Sequence, residues 1–312
     1  MGFSQVNRLA KKGEPFLFIS DFHAKEVKVI PLDALESEDI EFEINEQTRE
    51  KTHSHRLDYA PLNFQEYKKK FDAVLEKIRA GETYLLNLTQ ATPIKCDVTL
   101  KEMYSLANAH YKLRYKEEFI CFSPETFVQI EGNTIRTFPM KGTIDASVVD
   151  ARKKILADEK EMAEHIMIVD LLRNDLSIVA KNVRVEKFRY ITEVKTPHRK
   201  LLQVSSQIAG DLEANWREHL GDILASLLPA GSISGTPKRS TIEIIEEIEG
   251  YERGFFTGIF GLFDGESFES GVMIRFIEKS NEGLIYKSGG GITLDSVAES
   301  EFQELQDKIY LP

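Results

Sequence analysis

The chain has 312 residues, of which 42% are hydrophobic and 29% charged, a balance typical of a globular protein with a sizeable core. Its formal net charge of -11 argues against a surface that binds nucleic acid or an anionic membrane, and no apolar run approaches the roughly 20 residues of a membrane helix. The N-terminus lacks the apolar core of a secretion signal, and Cys96 and Cys121 form neither a disulfide framework nor a zinc motif, so we expect a reducing, cytoplasmic setting.

Short apolar runs between turn residues predict mainly strands in the first half of the chain. Helical spacing of apolar residues predicts a helix from Asn63 to Gly81, and Thr99 with Glu102 opens a second one. The acidic and then polar stretch 33–60 is predicted to be a loop or a lid. In chain order, the expected strands are 16–19, 27–30, 83–92, 119–122, 126–130 and 134–138.

The second half mixes helices with strands. The turn Asp264-Gly265 predicts a hairpin of the runs 255–263 and 267–277. The other expected elements are the helices 159–175, 215–228, 236–248 and 296–310 and the strand 183–188. Because helices and strands do not alternate strictly, we predict an α/β (α+β) fold with antiparallel sheet.

Two pairs of acidic residues stand three positions apart on predicted helices. They are Glu161 with Glu164 and, in the last helix, Glu301 with Glu304. This spacing places each pair on one helix face, and two such pairs could converge on a hard cation such as Mg²⁺. Acidic pairs are also common on solvated helices, and the spacing alone favours that interpretation.

Three glycine-rich segments could present backbone N–H groups to carboxylates or phosphates. These are PAGSISGTPK, RGFFTGIFG and SGGGITLDS. None fits a nucleotide-binding pattern, and tight turns that need positive φ are the alternative. Arg275 lies in an otherwise apolar predicted strand, GVMIRFIE, where a charge requires a partner. That partner is either a structural carboxylate or the carboxylate of a substrate.

Two further side chains have chemical potential. Glu125, in SPETF, is a general acid if burial raises its pKa and an ordinary turn residue if it is exposed. Lys141 lies in the turn-like segment TFPMKGT. A lysine in a partly apolar site can lose its proton and act as a nucleophile, whereas most lysines are solvated. Four histidines without metal-ligand spacing to the cysteines are expected to be structural or exposed, namely His53, His55, His165 and His198.

Seven motifs, in one order, make the chain resemble a known family. They are GETYLLNLTQ, SPETF, PMKGT, AEHIMIVDLLRNDL, PAGSISGTPKRSTIEIIEEIE, RGFFTGIFG and GGGITLDSVAESEFQELQDK. Over residues 60–312 they look like the chorismate-utilising enzymes, which include anthranilate, aminodeoxychorismate, isochorismate and salicylate synthases. The resemblance implies a four-layer α/β/β/α sandwich of the anthranilate synthase component I type, with the site between two sheets. It implies one chorismate-binding domain over 1–312, with a shortened N-terminal portion 1–60 and a catalytic core 61–312.

The resemblance also implies roles for individual residues. The carboxylates that fall where the family holds Mg²⁺ are Glu161, Glu164, Glu301 and Glu304. The residues that fall where the family contacts chorismate are Arg275, Lys308, Gly289, Gly290, Gly291, Thr143 and Ser232. Glu125 falls on the general acid that protonates the leaving C4 hydroxyl. A bound cation explains how so acidic a protein holds a dianion.

Lys141 separates the branches of this family. The pattern PxKGT is the mark of the aminodeoxychorismate synthases, whereas anthranilate and isochorismate synthases usually have alanine there. The resemblance implies that the Lys141 amine attacks C2 of the ring as the C4 hydroxyl leaves, and that ammonia then adds at C4 and expels the lysine. The expected product is 4-amino-4-deoxychorismate, the precursor of p-aminobenzoate and folate. The alternatives are an anthranilate synthase component I and a catalytically silent chorismate-binding subunit.

Three positions depart from common family residues. Leu85 stands where isochorismate and salicylate synthases carry the lysine that activates water, and leucine cannot accept a proton. Gln203 replaces a histidine common in members that eliminate pyruvate, which fits an enzyme that stops before that step. Phe256 replaces a common tyrosine, so we expect one substrate hydrogen bond to be missing.

The expected partners are chorismate, ammonia and a protein that supplies the ammonia. Neither cysteine lies in the nucleophile motif of a glutamine amidotransferase, so we expect a separate glutaminase subunit. We expect no partner among nucleic acids or membranes. The short N-terminal portion also predicts no feedback by tryptophan.

Overall fold

The computed structural model describes residues 2–45, 57–60, 62–195 and 200–311. Its α-helices are α1 Gly2–Lys12, α2 Phe64–Arg79, α3 Leu100–Leu106, α4 Ala151–Ala157, α5 Glu159–Val179, α6 Leu220–Leu227, α7 Lys238–Glu249 and α8 Ala298–Asp307. Its strands are β1 Phe16–Ser20, β2 Val27–Pro31, β3 Ile40–Ile44, β4 Asp58–Tyr59, β5 Leu85–Lys95, β6 Tyr111–Tyr115, β7 Phe119–Ser123, β8 Thr126–Glu131, β9 Thr134–Thr137, β10 Met140–Asp145, β11 Lys181–Lys195, β12 Lys200–Asp211, β13 Gly235–Thr236, β14 Ile259–Phe263, β15 Phe268–Val272, β16 Phe276–Ser280 and β17 Gly283–Ile292. None of the described helices is long and apolar enough to cross a membrane.

The strands form two sheets. The first has the order β10-β12-β9-β8-β15-β14-β1-β2, with β11 also paired to β12. The second has the order β13-β5-β17-β16-β7-β6-β3, with β4 paired to β5. Every pairing between described strands is antiparallel. The chain passes from the first sheet to the second three times, the last time between β15 and β16.

The two sheets pack face to face around an apolar core. A side chain at Gly271 of the first sheet would come within 2.5 Å of the Tyr111 ring of the second, so glycine allows the sheets to approach closely. The buried side chains of this interface include Leu17, Ile19, Leu113, Phe119, Cys121, Phe260 and Phe276. Helices α4, α5 and α1 cover the first sheet, and α2, α3, α7 and α8 cover the second. The predicted four-layer α/β/β/α class is thereby confirmed, while the division at residue 60 stays a prediction.

Local signals place the predicted helices where the structure has them. Asn63 caps α2, because its side chain accepts hydrogen bonds from the N–H groups of Gln65 and Glu66. Thr99 and Glu102 form a complete capping box at the start of α3. The expected hairpin around Asp264 is the β14–β15 pair.

The stretch 33–60 is only partly the loop or lid that its composition predicts. It contains β3 and β4, while 46–56, with His53 and His55, and also His198, lie outside the described residues. Strand β3 carries Glu41 and Glu43, and such acidic residues are the reason that the sequence predicts a loop here. Their carboxylates lie 2.6 Å from Arg114 Nε and 2.8 Å from Lys112 Nζ of the neighbouring strand β6. These cross-strand ion pairs neutralise the acidic strand.

Two chemically important segments have a different local structure from the predicted one. The glycines 289–291 form part of β17 and pair with β5 rather than forming a turn. The predicted strand 267–277 is broken, because Arg275 lies between β15 and β16 with φ of 50°. Arg275 is therefore at the crossover between the sheets, where the backbone adopts a left-handed conformation.

A buried ion pair joins the end of α7 to strand β5 and to the 3-10 turn 231–233. The Arg253 and Glu249 side chains are each 1% exposed, with Nη2 and Oε1 2.6 Å apart. Arg253 also donates to the carbonyls of Ile233 at 2.8 Å and Asn87 at 2.6 Å. The Glu249 carboxylate accepts a hydrogen bond from the Thr89 N–H at 2.8 Å. Both charges are therefore fully compensated inside the protein.

We expect Arg253→Met to lower the free energy of unfolding by about 3–5 kcal/mol, because it leaves a buried carboxylate without its counterion. Urea unfolding followed by circular dichroism measures the change. The matched control is Arg239→Ala in α7, whose Nε lies 3.3 Å from Glu243 at an exposed i,i+4 position and whose loss should cost about 0.5 kcal/mol or less. Equal effects of the two substitutions would contradict the role given to the buried pair.

Candidate active site

A cavity of about 570 Å³ lies between the two sheets, with walls from strands of both sheets and from α5 and α8. It brings together residues from widely separated motifs. Every predicted site residue except Glu301 lines it, namely Glu125, Lys141, Thr143, Glu161, Glu164, Ser232, Arg275, Gly289, Gly290, Gly291, Glu304 and Lys308. The three departures from family residues, Leu85, Gln203 and Phe256, also line its wall.

Lys141 enters the cavity from a β-bulge. The ladder between β10 and β12 pairs Met140 with Ser205 and Thr143 with Gln203, so two residues of β10 face one residue of β12. Gly142, with φ of 97°, supplies the backbone conformation that the bulge needs. The segment predicted as turn-like is thus a bulged strand, and the exposed Thr143 stands beside Gln203.

The Lys141 ammonium is paired with an acidic residue of α5. Its Nζ lies 2.8 Å from Oε2 of Glu164. Burial lowers the pKa of Lys141, but the charges of Glu164, Glu304 and Glu161 outweigh burial and leave that pKa raised. Lys141 is therefore a charged counterion in this state, and it becomes a nucleophile only after losing its proton.

A second ammonium pairs with the acidic residues of α8. Lys308 Nζ lies 2.8 Å from Oε1 of Glu304 and donates to the Gly289 carbonyl at 2.7 Å. Burial raises the pKa of Glu304, but Lys308, Lys141 and Lys160 together outweigh burial and leave that pKa lowered. Glu301 lies behind this pair, where its carboxylate accepts a hydrogen bond from Ser296 at 2.9 Å.

The acidic residues offer the donor chemistry of a Mg²⁺ site. Oε2 of Glu161 is buried and has no hydrogen-bond partner, and it faces Gly142, where a side chain would come within 3.1 Å of it. Burial, followed by repulsion from neighbouring carboxylates, raises the pKa of both Glu161 and Glu301. Hard oxygen donors with excess negative charge suit Mg²⁺. Within the described ranges no three such side chains already surround one point.

Glu125, which also lines the cavity, is held by a serine. The Ser232 hydroxyl, in the 3-10 turn 231–233, donates a short hydrogen bond to Oε1 of Glu125. Burial raises the pKa of Glu125, and Ser232 and Lys308 partly oppose that rise. A carboxyl group with a raised pKa keeps its proton to a higher pH, which suits a general acid.

The Arg275 guanidinium is available to a ligand. It lies over the Tyr310 ring, with Cζ 5.2 Å from the ring centroid. The structure shows no hydrogen bond or ion pair between it and any described residue. An arginine on a cavity wall without a protein carboxylate can bind a substrate carboxylate in bidentate fashion.

Strand β17 requires glycines because neighbouring atoms lie too close to leave room for side chains. A side chain at Gly289 would come within 2.5 Å of the Leu88 carbonyl oxygen on the paired strand. One at Gly290 would come within 3.4 Å of Glu301 Oε2 and 3.9 Å of Lys308 Nζ. Their missing side chains keep this end of the cavity open beside its charged groups.

Sequence reasoning missed two residues that support the site. His165, expected only to be structural or exposed, is fully buried and lies 3.3 Å through Nδ1 from the Lys141 carbonyl oxygen. Asp175 is buried, pairs with Lys238 at 3.1 Å, and approaches Gly231 so closely that a side chain there would clash with it. Both lie on α5 with the acidic pair, and a polar residue within an otherwise apolar helical run was the signal that could have identified them.

Comparison with known proteins agrees with this architecture. Residues 13–311 match the family of chorismate binding enzymes. An uncharacterized PabA-like protein of Haemophilus influenzae is 47% identical over 313 residues, which cover 99% of this chain and 95% of that protein. Anthranilate synthase component 1 of Archaeoglobus fulgidus is 34% identical over 78% of this chain and 61% of that enzyme. Aminodeoxychorismate synthase component 1 of Bacillus subtilis is 30% identical over 80% of this chain and 55% of that enzyme.

A solved structure shows the same fold. The isochorismate synthase DhbC of Bacillus anthracis superposes with a TM-score of 0.72 at 18% identity, covering 98% of this chain and 87% of that one. This chain spans just over half the length of the anthranilate synthase component 1 of Archaeoglobus fulgidus and of the aminodeoxychorismate synthase component 1 of Bacillus subtilis. With the match extending over nearly all of its residues, the chain belongs to the family of chorismate binding enzymes.

Proposed function

We propose that the protein is an aminodeoxychorismate synthase component I, which converts chorismate and ammonia to 4-amino-4-deoxychorismate and water. The observation that carries this proposal is the Lys141 amine, which lines the same cavity as Glu125 and pairs with Glu164 of α5. The relatives include both aminodeoxychorismate and anthranilate synthases. The choice between these reactions therefore rests on the side chains in the cavity.

The cations of the cavity bind the two carboxylates of chorismate. Arg275 and Lys308, with the N–H groups of the glycine strand, suit the carboxylate of the enolpyruvyl arm. The acidic residues Glu161, Glu164, Glu301 and Glu304 would hold Mg²⁺, which when bound neutralises the ring carboxylate and assists loss of the C4 hydroxyl. Removing Mg²⁺ with a chelator should abolish turnover, and adding it back should restore turnover.

Lys141 and Glu125 act on opposite parts of the reacting system. The neutral Lys141 amine forms a C–N bond at C2, the ring double bond shifts, and the C4–O bond breaks. Glu125 donates its proton to the departing oxygen, which leaves as water. Ammonia then forms a bond at C4, the double bond shifts back, and the Lys141 amine is expelled. Lys141 leaves as a neutral amine with both of its protons, and the proton that the ammonia nitrogen loses after forming the C4–N bond returns to Glu125.

The wall of the cavity disfavours the competing reactions. Leu85 offers no base to activate water, so addition of water at C2 lacks its catalyst. Gln203 stands where pyruvate-eliminating relatives have a histidine. Anthranilate synthase component I remains the second candidate because of the 34% identity to such an enzyme. Product analysis by mass spectrometry separates the two, since anthranilate lacks the enolpyruvyl group.

We propose that ammonia comes from a separate glutamine amidotransferase subunit. Activity with ammonium salts alone, and with glutamine only after a glutaminase is added, is the expected behaviour. Turnover of glutamine by the purified chain alone would contradict this part of the proposal. Failure to convert chorismate even with a glutaminase present would instead favour the catalytically silent chorismate-binding subunit.

Mass spectrometry of the intact protein should show a covalent adduct on Lys141. With chorismate and Mg²⁺ but no ammonia, we expect wild type to gain the mass of chorismate minus water. Lys141→Arg keeps the positive charge beside Glu164 but stays protonated at neutral pH, so it should form no adduct. It should also lose at least about 100-fold in kcat, as expected when a covalent step is removed.

This experiment separates a nucleophile from a counterion. If Lys141→Arg retains most of the activity, Lys141 acts through its charge and the covalent mechanism is wrong. Wild type that makes anthranilate instead of aminodeoxychorismate would overturn the proposed function without touching the family assignment.

The pH dependence of turnover should report the Glu125–Ser232 hydrogen bond. Ser232 lowers the pKa of Glu125, so Ser232→Ala should raise that pKa. Because the general acid must be protonated, activity should then persist to higher pH. The alkaline limb of the plot of kcat/KM against pH should therefore shift to higher pH. Glu125→Gln should show low activity without that limb. A limb unchanged in Ser232→Ala would exclude Glu125 as the group that titrates.

A further inference from the structure

The bulge that carries Lys141 is contacted by a buried imidazole on α5. A β-bulge interrupts the hydrogen-bond ladder, and the Lys141 carbonyl lies at this interruption. His165 Nδ1 lies 3.3 Å from that carbonyl oxygen, and Nε2 lies 2.7 Å from Oγ of Ser206 on β12. His165 is fully buried and is not part of the cavity wall. It cannot touch chorismate there and can act only through its neighbours.

The donors and acceptors on Lys141, His165 and Ser206 determine which atom carries the proton in each of these hydrogen bonds. The Lys141 carbonyl oxygen can only accept, so Nδ1 of His165 must carry the proton. Neutral His165 then accepts at Nε2, and the Ser206 hydroxyl donates to it. Oγ of Ser206 in turn accepts from the Arg189 N–H at 3.0 Å. The chain of hydrogen bonds therefore has a single direction, from β11 through β12 and α5 to the bulge.

The same chain of contacts is anchored on a second helix. The Arg189 guanidinium donates to the Leu156 carbonyl at 2.8 Å and the Ile155 carbonyl at 2.9 Å, both in α4. The Ser206 N–H donates to the Pro139 carbonyl at 2.9 Å, just before the bulge. These contacts link β11, β12, α4 and α5 to the bulge, while the Lys141 side chain lines the cavity and pairs with Glu164.

We propose that His165 is a positioning residue for Lys141, holding the bulge so that the amine faces the substrate ring rather than lying along the strand. This inference rests on the proposed function, in which Lys141 is the nucleophile. A displacement of about 1 Å in a reacting group can lower the rate about 100-fold. The contact of His165 with the bulge therefore governs turnover without contributing to binding.

Two substitutions distinguish the contact made by Nδ1 of His165 from the contact made by Nε2. His165→Asn places an amide N–H where Nδ1 stands, so it can still donate to the Lys141 carbonyl. His165→Gln places its amide near Nε2, so it can replace only the contact with Ser206. Both remove the ring from the same buried position, and urea unfolding should show similar losses of stability.

We expect kcat to fall by about 100-fold in His165→Gln, with KM within about twofold of wild type. His165→Asn should keep at least ten times the kcat of His165→Gln and should still form the Lys141 adduct. In wild type, the ¹⁵N chemical shifts of His165 should show a protonated Nδ1 and an unprotonated Nε2. Equal losses of kcat in both variants, or a proton on Nε2, would overturn the positioning role.

The outcomes distinguish this inference from the proposed function. If wild type makes no aminodeoxychorismate, the proposed function fails, but the histidine tautomer is measured without substrate. The rate at which an acylating reagent labels Lys141 then replaces the adduct as the readout. A labelling rate that differs from that of wild type in His165→Gln but not in His165→Asn supports the positioning role. Equal labelling rates in the two variants reject it.

Discussion

The buried pair of Arg253 and Glu249 is the interaction on which the cavity depends. Its two charges are compensated by each other and by backbone groups of the second sheet and of the 3-10 turn that carries Ser232. The pair therefore fixes the turn that orients Glu125 relative to the strand β5 that forms the adjacent wall. A fully paired charge of this kind is costly to disrupt, so one ion pair supports both the stability of this region and the position of Glu125.

Helix α5 connects the groups on the other side of the cavity. One face carries Glu161 and Glu164, the next residue contacts the bulge of Lys141, and its far part carries Asp175 against the turn of Ser232. A single rigid helix thus sets the distance between the proposed nucleophile, the proposed metal ligands and the support of the proposed acid. Rigid elements hold such groups more accurately than loops.

The motifs predicted side chains that the structure brings around one cavity, apart from Glu301, whereas their local backbone could not be predicted. Lys141, Glu125 and the paired glutamates were recognised because their residue types and order along the chain are distinctive. The bulge at Lys141 and the crossover at Arg275 were missed, because each depends on strands far away in sequence. Strand β3 was missed for the same reason, since its glutamates are neutralised by basic residues about 70 positions later. Patterns within a short window cannot report such partners.

Strand β3 lies at an end of its sheet, where one side of its backbone is left without a neighbouring strand among the described residues. Such edges can recruit the same strand from another molecule and begin aggregation. A second copy added antiparallel to β3, in the register centred on Phe42, would place Glu41 opposite Glu43 of the other copy, while Arg114 and Lys112 stay on the far side of each strand. Like charges placed directly opposite on adjacent strands are unfavourable. An acidic edge strand of this kind disfavours edge-to-edge pairing of two copies.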